Sequence, residues 1–151
     1  MLNEIICNKI RSEMESIDQL FQSYSELLGN AKDCEPDLIS ITAIASVLHS
    51  FYSGMEKIFL FVAKEVDTNV PIGSGWHKAL LTQMTEETKT RKSVISTEIA
   101  EKLNEYLGFR HVFRNIYCDL LDWSMLEKLI LPVEKIWTDV KTEINLFLET
   151  K

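Results

Sequence analysis

The sequence predicts an all-α protein, an antiparallel bundle of four to five helices formed as a single domain over residues 1–151. Three observations carry that prediction. Apolar residues recur at three- and four-residue steps along most of the chain, and no useful run alternates with the period of a strand. Only five glycines and three prolines punctuate 151 residues, which favours few, long elements. Hydrophobic residues make up 46% and charged ones 26%, enough apolar material at this length for a core without disulfide or metal staples.

The first helix is expected over residues 3–28, where Ile6, Ile10, Met14, Ile17, Leu20, Phe21, Tyr24, Leu27 and Leu28 share a face and Gly29-Asn30 supply the stop. The second starts at Glu35-Pro36-Asp37, proline being tolerated in a first turn, and continues to Val66. Gly54 inside it costs roughly 1 kcal/mol against alanine, which close approach of another helix would explain. Residues 70–75, Val-Pro-Ile-Gly-Ser-Gly, are the strong loop signal. A third helix is expected over 76–88, followed by a charged connection around Lys89-Thr90-Arg91-Lys92, with Arg91 in solvent. The fourth begins near Ser96-Thr97-Glu98 and reaches about Tyr117, with Gly108 as a point of kinking. Asp122 caps the last helix, and Pro132 kinks it by removing a backbone donor. The expected core includes Ile17, Phe21, Leu48, Phe51, Met55, Phe59, Phe113, Ile116, Leu126, Val133, Trp137 and Val140.

A formal net charge of −7 means the surface as a whole repels nucleic acid, so any RNA contact must be local. No apolar run approaches the ~20 residues that span a bilayer, and the charged N-terminal stretch MLNEIICNKIRSEME lacks the apolar centre of a signal peptide. A cytoplasmic protein with no membrane partner is the expectation. Cys7, Cys34 and Cys118 are odd in number and widely spaced, and His49, His77 and His111 show no metal-ligand spacing, so free thiols, no metal and no cofactor are expected. Neither His49 nor His77 has a partner at a defined spacing, and both read as structural.

The chemistry concentrates in residues 107–123, LGFRHVFRNIYCDLLDW. At about 100° per residue, Arg110, His111, Arg114, Tyr117 and Cys118 fall on one arc and Phe109, Val112, Phe113, Ile116 and Leu120 on the opposite one. An apolar stripe would dock on a core while cations, an imidazole and a phenol face outward, an arrangement suited to a phosphate-bearing partner. An ordinary amphipathic helix, with its arginines paired to neighbouring glutamates, has the same pattern.

Arg110, four further residues, Asn115, one more, then Tyr117 resembles the Arg-x4-His-x-Tyr motif of HepT-like ribonuclease toxins. Leu121-Asp122-Trp123 and the long final helix are also similar to that helical family. The resemblance covers most of the chain in helix order but only residues 109–123 in detail, and Asn115 stands where the motif has histidine. It implies a toxin of a two-gene toxin–antitoxin module, a metal-independent endoribonuclease with Arg110, Asn115, Tyr117 and His111 as catalytic positions and Arg110 and Arg114 on the RNA phosphate. It also implies a minimal nucleotidyltransferase antitoxin as partner, which attaches AMP to the motif tyrosine, here Tyr117, and a homodimer. Long apolar stripes in a small bundle point to a homodimer as well.

Two readings follow. Asparagine has no group that exchanges protons near neutral pH, so nuclease activity is weakened or lost at Asn115 unless His111, one turn or about 6 Å away, substitutes. The alternative is a non-catalytic substrate-binding subunit of a small nucleotidyltransferase. On an ideal helix Asn115 and Tyr117 also diverge by about 160°, so the motif converges only where the helix ends or a dimer brings two copies together.

Overall fold

The computed structural model describes residues 2–150 and contains seven α-helices and a 3-10 turn, with no strand among the described residues. The excess over the expected four to five comes from two breaks. α1 (Glu4–Ser23) is capped by Asn3, whose side chain accepts from the Ile6 amide at 2.9 Å, and buries Ile6, Ile10, Met14, Ile17 and Phe21. The helix expected over 3–28 divides at Tyr24. α2 (Ser25–Asp33) then runs straight through Gly29-Asn30. Glycine weakens a helix without forbidding it, and burial of Leu28 and Ala31 holds this one in place.

α3 (Leu38–Glu65) is the hub. Asp37 caps it by accepting from the Ser40 amide at 2.8 Å, so Pro36 stands just outside the first turn rather than in it. α1, α2, α4 (Trp76–Thr85), α5 (Thr97–Asn115) and α6 (Trp123–Ile130) all pack against it. Phe51, Tyr52, Met55, Ile58, Phe59 and Val62 have no exposed surface at all. α3 is long and apolar enough to cross a bilayer, with a mean hydropathy of 1.4 over its best window, which corrects the reading that no run approaches that length. Here the same composition is that of a helix covered on many sides by its neighbours. The Gly54 expectation is met: a Cβ there would stand 2.8 Å from Cγ1 of Ile17, so α1 rides directly over the α3 backbone.

Thr85 ends α4 three residues early, and α5 continues through Gly108 without interruption. Ser96 caps α5 and is itself held from α7 (Val133–Glu149), whose Glu143 carboxylate accepts from the Ser96 amide at 2.6 Å and its hydroxyl at 3.1 Å. Asp122 caps α6 as expected. Pro132 does more than kink: α6 ends at Ile130 and α7 restarts at Val133, with the proline at the junction where its missing N–H is tolerated. Asp18 fastens α7 to α1 by accepting from Trp137 Nε1 at 2.8 Å and Lys141 Nζ at 2.9 Å. Burial opposes ionisation there, yet those two bonds hold the Asp18 carboxyl below its usual range. Of the expected core positions only Phe113 and Ile116 are half-buried rather than buried. They sit where α5 gives out, and no helix resumes before Trp123.

Arg91 is the largest departure. Instead of lying in solvent it is buried, pairing with Asp67 through Nε at 2.6 Å and Nη2 at 2.7 Å. Its remaining donors reach the carbonyls of Gln83, Glu86 and Lys92 at 3.1, 2.7 and 3.0 Å. The connection between α4 and α5 is thereby tied to the end of α3. Removing one partner of a buried pair strands the other charge, so Arg91→Ala should cost about 3–5 kcal/mol in urea denaturation. Lys92→Ala, which breaks only the exposed pair with Glu87, should cost less than about 1 kcal/mol, and equal costs would refute this role for Arg91.

Candidate functional site

A cleft of about 630 Å³ opens between the start of α4 and the second half of α5. Ser74, Gly75, His77 and Lys78 form one wall, and Asn104, Leu107, Gly108, Arg110, His111, Arg114 and Asn115 the other. Helical spacing explains the second wall, because 104, 107, 108, 111, 114 and 115 recur at three- and four-residue steps on one face of α5. The first wall follows from the glycine-bearing loop, which ends at Gly75 and starts α4 there without a side-chain cap.

Arg110, His111, Arg114 and Asn115 are thus brought together. Tyr117 is not. α5 ends at Asn115, Ile116 and Tyr117 are extended, and Tyr117 is 81% exposed and absent from the cleft walls. Cys118 and Leu120 belong to a separate 3-10 turn, so the helical wheel does not extend to them, and Val112 and Leu120 are exposed rather than docked. The side chain of Asn115 donates to the carbonyl of His111 at 2.7 Å, folding back along its own helix by one turn. His111 and Arg114 are exposed.

Arg110 differs from the expected outward-facing cation. Its side chain is half-buried, and its Nε lies 3.9 Å from Oε1 of Glu56, too far for a hydrogen bond. Glu56 is buried in α3, and its other oxygen meets Nδ1 of His77 at 2.5 Å. The ring of His77 lies against Trp76, with centroids 3.7 Å apart. Among the described residues three buried side-chain atoms lack a hydrogen-bond partner: Arg110 Nε, His49 Nδ1 and Tyr52 Oη. All three belong to this neighbourhood, since His49, Tyr52 and Glu56 follow one another on a single face of α3. Unsatisfied buried polar atoms are costly, and these three gather on the side of α3 that meets Arg110.

Burial, then the charges of Arg110 and Arg114, hold the imidazole of His49 below its ordinary value of 6.5. Burial chiefly, with the Glu56 charge adding, raises the Tyr52 phenol well above its usual range, against the smaller opposing effect of Arg110. Neither group is a ready proton donor in the cleft. Among the described residues no three His, Cys, Asp or Glu side chains converge as they would around a metal ion.

Sequence reasoning passed over Glu56 and set His77 aside. A signal for Glu56 was present: it is a carboxylate one helical turn after Tyr52 and three residues before Phe59, within the apolar face of the second helix. His77 gave no such signal, because its partner is 21 residues away in sequence.

The His49 environment is testable. In NMR titration the His49 ring should titrate below 6.5, and Arg110→Met should move it upward. Between the folded value and 6.5 the unfolded chain holds a proton that the folded one lacks, so this residue makes stability fall as pH is lowered through that window. A His49 that titrates at its ordinary value would refute the described packing.

The family model described as HepT-like protein matches residues 43–151, a stretch that contains every residue of the cleft. No curated protein and no solved structure matches the chain.

Proposed function

The chain belongs to the HepT-like protein family, and on that premise we propose that it is a toxin-type protein of a two-gene toxin–antitoxin module that acts on RNA in the cleft between α4 and α5. The supporting observation is the gathering of Arg110, His111 and Arg114 on one wall of a defined cleft in a chain of net charge −7. A phosphodiester entering there meets two guanidinium groups that follow the charge from the bound phosphate to the pentacovalent transition state. Asn115 contributes hydrogen bonds only, so the motif position supplies no proton transfer and turnover is slow. The reading needs no cofactor and puts the protein in the cytoplasm.

Asn115→His tests it. An imidazole there restores a group able to exchange protons near neutral pH, and general acid–base catalysis is typically worth about 10²–10⁴-fold. Cleavage of a labelled RNA and toxicity on expression should both rise. Unchanged cleavage would remove the motif position from the reaction.

A second reading is supported by Tyr117 and Asn115. Tyr117 is 81% exposed on extended backbone, accessible to a modifying enzyme, while the Asn115 side chain is occupied at the helix end. In this reading the chain is a non-catalytic partner subunit of a minimal nucleotidyltransferase. Co-expression with such an enzyme should add the mass of AMP to the intact chain, and Tyr117→Phe should abolish the addition. The exposed Val112, Tyr117 and Leu120 leave an apolar patch at the end of α5, so the unmodified chain should sediment as a homodimer. A lone 17.4 kDa species at micromolar concentration would count against that pairing.

A further inference from the structure

We propose that His77 is the general base of this cleft, aligned by the buried carboxylate of Glu56; the inference rests on the RNA-cleaving reading above and supplies the proton acceptor that Asn115 cannot be. His77 differs from the other two histidines in being fixed on two sides. Its face is held by the Trp76 ring and its Nδ1 by Oε2 of Glu56, while the side chain still lines the cleft. His49 is packed against Phe113, with ring centroids 5.1 Å apart and its Nδ1 buried without a partner. His111 lines the cleft but is exposed, with nothing orienting its ring.

The carboxylate fixes the tautomer. An ionised Glu56 only accepts hydrogen bonds, so in the neutral ring the proton resides on Nδ1 and the lone pair on Nε2. Nε2 lies on the far side of the ring from Glu56 and is the nitrogen left for the cleft. Glu56 is therefore a positioning residue. It cannot reach substrate, being buried, and Arg110 on its other oxygen offsets its charge.

The step balances without a metal or an oxidant. Nε2 of His77 takes the proton of a ribose 2′-hydroxyl as the 2′-oxygen forms its bond to phosphorus. The bond from phosphorus to the 5′-oxygen of the next nucleotide breaks, and that oxygen takes a proton from the protonated ring of His111 on the opposite wall. The products are a 2′,3′-cyclic phosphate and a 5′-hydroxyl, and water exchange resets both rings. Arg110 and Arg114 carry the phosphorane charge.

The test uses the full chain and a short labelled RNA, with its 2′-deoxy counterpart as the substrate that cannot react. His77→Gln should lower kcat by about 10²–10⁴-fold with RNA affinity unchanged. Glu56→Gln should lower it less and shift the acidic limb of the pH–rate profile, which a purely structural role would not do. Wild-type cleavage that His77→Gln leaves intact overturns the proposal and spares the RNA reading. A wild-type chain that binds RNA without cleaving it overturns the base assignment and the cleaving reading together, leaving RNA binding alone, and one that neither binds nor cleaves overturns the RNA reading altogether. Nitrogen NMR of the wild-type ring gives an independent arm: a neutral His77 protonated on Nδ1 is expected, and a ring protonated on Nε2 overturns the proposal whatever RNA does.

Discussion

The arrangement of this protein depends on a single constraint, the need to cover α3. Its side chains from Ile44 to Ala63 leave almost no apolar surface open, and five other helices meet it. An element that is apolar on most of its circumference finds no stable position at a bundle's edge, so the rest of the chain is arranged around it. Gly54 marks where that demand is tightest, because α1 approaches close enough that a methyl group would collide with Ile17. The same constraint creates the site. Once α3 is enclosed, its carboxylate at position 56 is enclosed too, and a buried charge must be met by partners. His77 from α4 and Arg110 from α5 meet it, and the cleft lies between those two helices.

Arg91 and Arg110 show how burial divides one residue type between two tasks. Arg91 makes five hydrogen bonds to one carboxylate and three carbonyls, so its donors are fully committed to holding a connection in place. Arg110 faces its carboxylate at 3.9 Å, and its Nε has no hydrogen-bond partner. The first arrangement favours the fold. The second leaves a partly exposed guanidinium on the wall of an open cleft, where it can meet an arriving phosphate. In an acidic chain such a local arrangement is what allows an anion to approach at all.

Much of this was legible in the sequence, and the failures have physical causes. The helical class, the loop at 70–75, the start of α5 near Ser96, the cap at Asp122 and the contact at Gly54 follow from local pattern, where propensity and burial agree. The helix ends were harder. Tyr24 breaks a continuous apolar periodicity, while Gly29-Asn30 fails to break one, because packing against the core outweighs local preference. Arg91 was misplaced for a related reason: its neighbours are charged and polar, and the Asp67 that buries it lies 24 residues earlier. The arginine-bearing wall of the cleft was visible as a helical face. The wall opposite was not, since His77 gains meaning only through Glu56, and nothing in their sequence separation announces the pair.

That last point bears on how the departure at Asn115 is weighed. A motif records which residues a fold brings together along one helix, and it is silent about what neighbouring helices add. Asn115 sits at the end of α5 with its side chain turned back to the His111 carbonyl. His77 stands on the facing wall, held by a buried carboxylate that costs stability to maintain. Glu56 is a buried charge beside this cleft, and a buried charge carries a cost that core packing does not explain. The loss of a proton carrier at one position of the motif is therefore weaker evidence against chemistry in this cleft than the motif alone suggests, because the facing helix offers an oriented imidazole.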